Sequence, residues 1–116
     1  MQTSIQLTDI YTSEAGAVYQ CDRRNRLVVH FDGELAVLKV EAFLRLKKAV
    51  DSIDLEVMAA STDRATDFEI ISVCGCDKIY VLALPQLCAF KALLAEAKFS
   101  LDLNSMLHEC LYTQIA

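Results

Sequence analysis

Only one proline and three glycines occur in this chain of 116 residues. Neither a Pro/Gly-rich linker nor a low-complexity tract divides it, so a single domain over residues 1–116 is expected. Long apolar runs are also missing. The longest uncharged stretch of interest, residues 79–90, is interrupted by Pro85 and Gln86 and falls short of the roughly 20 residues a membrane-spanning helix needs. The opening Met1-Gln2-Thr3-Ser4-Ile5-Gln6 has neither the positive region nor the continuous apolar region of a secretory signal. A cytoplasmic protein without a membrane partner is the expectation.

Catalytic signatures are absent as well. The sequence holds no Gly-rich phosphate loop, no Ser-His-Asp signature, no HExxH and no RNA-binding aromatic motif. No enzymatic activity and no cofactor are therefore expected. Basic charge is in deficit, with 11 Lys and Arg against 16 Asp and Glu, for a net charge of −5. A surface of that sign repels a phosphate backbone at long range, which disfavours nucleic acid as a partner. The five cysteines, Cys21, Cys74, Cys76, Cys88 and Cys110, are odd in number and irregularly spaced. A chain of this length buries roughly two-thirds of its unfolded surface without cross-links, so reduced thiols are expected.

What the sequence has in abundance is apolar side chains, 54% of the total with a mean hydropathy of +0.32. So small a domain has too little interior to hide them all. An exposed apolar face, serving as a subunit interface, follows.

The apolar residues are ordered in a pattern that occurs twice. Residues 27–53 and 69–97 both read as a β-hairpin running into an amphipathic helix. Shifting the first unit by 44 positions lays Leu35, Val37, Leu38, Phe43, Leu46 and Val50 on Ile79, Val81, Leu82, Leu87, Phe90 and Leu94. The match is apolar throughout but carries few identities. Internal duplication and simple recurrence of a strand-then-helix pattern account for it equally well.

Asp32-Gly33 between two alternating runs is the strongest turn signal, since both central residues of a type I′ turn need positive φ. From Glu41 the period changes, and Phe43, Leu46, Val50 and Ile53 form a helical stripe. Residues 55–60 fit either a continued helix or a short strand, and residues 61–67 read as a loop. The second hairpin is expected as strands 68–73 and 78–84 joined through Cys74-Gly75-Cys76-Asp77. Pro85 then suits the start of a helix carrying Leu87, Phe90, Leu94 and Ala97 and ending near Lys98. Asn104 or Ser105 offers the cap of a separate, short C-terminal helix.

Upstream, a weak edge strand over residues 4–11 and strands 17–21 and 26–31 are expected, the latter two joined through the polar turn Asp22-Arg23-Arg24-Asn25. The expected architecture is α+β. Two ββα units form an antiparallel sheet with the helices packed on one face, the N-terminal strands extending an edge.

The succession of Tyr19-Gln20-Cys21, a strand ending at Phe31, the helix around Phe43, Ile70-Ile71, Val81-Leu82-Ala83-Leu84 and Leu93-Leu94-Ala95-Glu96-Ala97 resembles small bacterial single-domain families without an assigned activity. The resemblance spans residues 19–97 and implies a fold. It brings no catalytic motif to carry over.

Among candidates for chemistry, Cys74 and Cys76 stand out, because two thiolates on a tight turn can share a soft metal or cycle as a disulfide. A structural zinc site wants four ligands, for which only the scattered Cys21, Cys88, Cys110, His30 and His108 remain. Small cysteines serving as ordinary apolar residues of a turn is the commoner case. His30 or His108 would need a carboxylate such as Asp32, Glu34 or Glu109 for acid-base work. If Leu27, Val29 and Phe31 face the helices, His30 faces away with Val28. Cys21 lies near Arg23 and Arg24, and the run Asp22 to Arg26 is the one basic cluster, ordinarily a solvated turn.

Both faces of the hairpins carry apolar residues, and the helices cover one. A homodimer or a protein partner on the other face is the leading expectation. The alternative is an apolar small-molecule site between sheet and helices near Tyr80, Cys88 and His108.

Overall fold

The computed structural model describes residues 7–21, 26–60 and 68–115, the last ten of these as backbone only. The fold is α+β. Four strands, β1 (Leu7–Thr12), β2 (Gly16–Cys21), β3 (Arg26–Phe31) and β4 (Glu34–Lys39), form an antiparallel meander in chain order. Two helices follow, α1 (Val40–Asp51) and α2 (Leu55–Ala60), then a separate two-stranded sheet of β5 (Phe68–Ile71) and β6 (Tyr80–Ala83), and finally α3 (Leu84–Ile115).

Alternation decides which face of the meander is buried. Leu27, Val29 and Phe31 of β3 and Ala36 and Leu38 of β4 are buried, while His30, Leu35 and Val37 are exposed. His30 thus lies on the outer face, as its register with Leu35 requires. The β3–β4 hairpin turns at Asp32 (φ 56°) and Gly33 (φ 76°), the pair of positive values a type I′ turn demands. In β1 the register slips at Ile10, between the Asp9–Tyr19 and Tyr11–Val18 pairs. This bulge turns Ile10 into the core and explains the half-alternating pattern of the strand.

One hydrophobic cluster joins this inner face to α1 through Phe43, Leu46 and Val50 and to α3 through Leu87, Phe90, Leu94 and Ala97. Phe90 is central to it, its ring 4.4 Å from Phe31 and 4.8 Å from Tyr80 between centroids. The positions matched by the 44-residue shift share their burial as well as their polarity. Leu35 and Val37 are exposed like Ile79 and Val81, and Leu38, Phe43, Leu46 and Val50 are buried like Leu82, Leu87, Phe90 and Leu94. Any strand-then-helix unit packed on one face produces this, so descent by duplication does not follow.

Two expectations are corrected. First, the second hairpin does not join the first in one sheet. Its strands stop pairing at Ile71–Tyr80, and residues 72–79 form a longer connection. That connection is held elsewhere: Arg45 donates to the Cys74 carbonyl at 2.8 Å, and Lys78 pairs with Glu34 at 3.6 Å. The Cys74 carbonyl, taken by Arg45, is unavailable to extend the ladder of β5 and β6.

Of the two alternatives for residues 55–60 the structure takes the helix, with Asp54 capping it, its side chain accepting from the Val57 N–H at 3.1 Å. Second, the second helix does not stop at Lys98, and no separate C-terminal helix follows. No Gly or Pro occurs after Pro85 to stop α3, and Lys98 pairs with Asp102 one turn on, at 2.7 Å, across the expected break. The turn expected at residues 22–25, the loop at 61–67 and the first residues of the N-terminal strand lie outside the described residues.

Candidate functional site

Two surface features stand out beyond the core. The first is a groove of about 440 Å³ at the edge of β4, which is unpaired among the described residues, between that strand, the first turns of α1 and the Cys74–Gly75 turn. The turn runs from Val73 to Cys76, whose N–H donates to the Val73 carbonyl at 3.2 Å. Gly75 occupies its third position at φ 93°, as a type II turn requires. It also packs hard on α1, since a Cβ there would stand 2.9 Å from the Ala42 Cβ. The two demands together explain the glycine.

Arg26, Lys39 and Arg45 bring three cationic side chains to the groove, against one carboxylate, Glu41. Arg26 and Lys39 are direct partners across the β3–β4 ladder. Like charges so placed destabilise the pair. Among the described residues neither side chain has a hydrogen bond or ion pair. Lys39 is also the N-cap residue of α1 and supplies no side-chain cap.

The second feature is the outer face of β5–β6. Phe68, Ile70, Ile79 and Val81 are 58%, 68%, 66% and 55% exposed. Alternation places Phe68, Ile70 and Val81 on one face, opposite the buried Ile71, Tyr80 and Leu82, and Ile70 pairs directly with Val81; Ile79 precedes β6.

The cysteines are dispersed among these features. Cys74 is exposed at the groove, whereas Cys76 packs against the core and its thiol donates to the Lys78 carbonyl at 3.7 Å. The two therefore sit in different environments. Among the described residues no group of three or more His, Cys, Asp or Glu converges. Cys21 ends β2 opposite Arg26, and Cys88 is exposed on α3. Tyr80 is buried against Phe90 while Cys88 points to solvent, so the structure does not gather them around an apolar ligand. The His108 and Cys110 side chains, and Asp22, Arg23 and Arg24, lie outside the described residues.

Tyr80 carries a buried hydroxyl without a hydrogen-bond partner among the described residues. Burial pushes its phenol well above the ordinary 10.0, with Cys76, Glu34 and Asp77 adding to the shift in that order.

The groove was legible in the sequence but not read there. A two-residue turn at Asp32-Gly33 pairs residue 26 with residue 39 by counting outward. The approach of Arg45 and Cys74 depends on a tertiary contact and carries no such signal.

No family model matches this chain, and neither the curated proteins nor the solved structures contain a significant match to it.

Proposed function

We propose that the protein is a non-catalytic, self-associating module in which a second copy covers the outer face of β5–β6. The observation that carries this reading is the trio Phe68, Ile70 and Val81, each more than half exposed on one small sheet, with the exposed Ile79 immediately before β6. Apolar area of that kind favours removal from water by about 25 cal/mol per Å². The hairpin also has unpaired edges, because β5 and β6 hydrogen-bond only to each other among the described residues. A two-stranded ribbon is marginal alone, and face-to-face packing of two such ribbons about a two-fold axis would remove both apolar faces from water.

A stable dimer needs roughly 800 Å² per partner. That is about a tenth of the 8004 Å² of accessible surface. Among the described residues no helix is long and apolar enough to cross a membrane. The unpaired thiols of Cys21, Cys74, Cys76 and Cys88 suit a reducing compartment such as the cytoplasm.

Size-exclusion chromatography with light scattering tests the reading on the whole chain. The native protein is expected to run as a dimer at micromolar concentration, and Ile70→Asp as a monomer with an unchanged circular dichroism spectrum. A monomeric native protein, or a dimer that survives the substitution, would overturn it.

A further inference from the structure

The groove beside β4 poses a separate question, because a net acidic chain concentrates three cations around one cavity. Arg26 and Lys39 face each other across the ladder, and neither is neutralised by a carboxylate among the described residues. Arg45 is held in place by its bond to the Cys74 carbonyl, which occupies one guanidinium nitrogen and leaves the remaining donors free. A repulsive pair held beside a positioned guanidinium is the arrangement an oxyanion relieves.

We infer that this groove binds a phosphoryl group of a small molecule. Its charge at pH 7, about −1.5 to −2, balances the excess of cations there. Guanidinium groups meet such oxygens in bidentate fashion. The volume of about 440 Å³ falls within the span of small-ligand sites, and Val37, Leu38 and Ala42 provide an apolar wall for an organic body. The overall charge of −5 does not oppose this, since charges beyond roughly 8–10 Å are screened at physiological salt while the groove cations act at contact.

Titration of the full chain with inorganic phosphate and with phenyl phosphate, followed by amide NMR shifts and melting temperature, tests the inference. Sodium chloride at matched ionic strength is the control. Either phosphate is expected to shift amides at residues 39–45 and 74–75 and to raise the melting temperature, whereas chloride does neither. Tighter binding of phenyl phosphate identifies an organic ester as the source, and equal binding identifies the free ion.

Arg26→Gln and Lys39→Gln are each expected to weaken binding about tenfold. Without phosphate these variants melt at or above the native temperature, because the like-charge pair is gone. Chloride reproducing the phosphate effect, shifts that map elsewhere, or full affinity in both variants would overturn the inference. Because the readout is amide shifts rather than mass, its failure leaves the dimer reading untouched, and the reverse holds.

Discussion

Individual residues show where this small fold tolerates unfavourable arrangements. Tyr80 contributes a ring tilted against Phe90 but buries a hydroxyl that has no hydrogen-bond partner among the described residues. Leaving such a group unpaired costs about 1–3 kcal/mol. Tyr80→Phe, which keeps the ring, is therefore expected to raise stability in urea unfolding by about 1 kcal/mol. The raised phenol pKa adds a pH dependence whose sign is definite. The unfolded chain loses this proton near pH 10.0 while the folded chain keeps it. Stability is thus full below that pH and falls as pH rises above it. Urea titrations at pH 8 and pH 11 should show a smaller alkaline loss in Tyr80→Phe than in the native protein, and equal losses would contradict the assigned environment. At this scale the sequence was partly legible. His30 was placed outward by alternation alone, whereas the orphaned Tyr80 hydroxyl depends on what Phe90 and the 76–77 segment bring to it.

At the scale of elements, the parts read most securely were those with a local cause. The Asp32-Gly33 hairpin follows from two positive φ values, and α1 and the first half of α3 follow from apolar stripes that the structure buries at Phe43, Leu46, Val50, Leu87, Phe90 and Leu94. The second hairpin is shorter than its apolar alternation through Val73 and Ile79 suggests, because Arg45 takes the Cys74 carbonyl and Gly75 packs against Ala42, which holds the intervening turn on α1. Likewise α3 runs on because weak helix formers such as Asn104 and Ser105 do not stop a helix that lacks Gly and Pro. The six-residue α2 has no buried residue and depends on its cap. Asp54→Ala should cost about 1 kcal/mol locally and speed amide exchange at Val57 and Met58, leaving α1 protected. Unchanged exchange there would show that Asp54 does not hold the helix.

For the whole molecule, sheet and helices enclose one core, and the remaining apolar side chains lie outside it at separate places. Phe99 and Leu103 on α3, 64% and 43% exposed, form one further group, and Leu35 and Val37 on the outer face of β4 another. The abundance of apolar residues predicted an uncovered surface, but composition could not say which one. That depends on β5–β6 standing apart from the meander, with the outer face and edges of the ribbon unpaired among the described residues. The central claim, self-association through this face, is tested most directly by amide hydrogen exchange at dilute and at high protein concentration. Protection that rises with concentration at Phe68–Ile71 and Tyr80–Ala83, and not around Phe99 and Leu103, is the predicted result. Exchange independent of concentration in β5 and β6, or protection appearing on α3 instead, would contradict it.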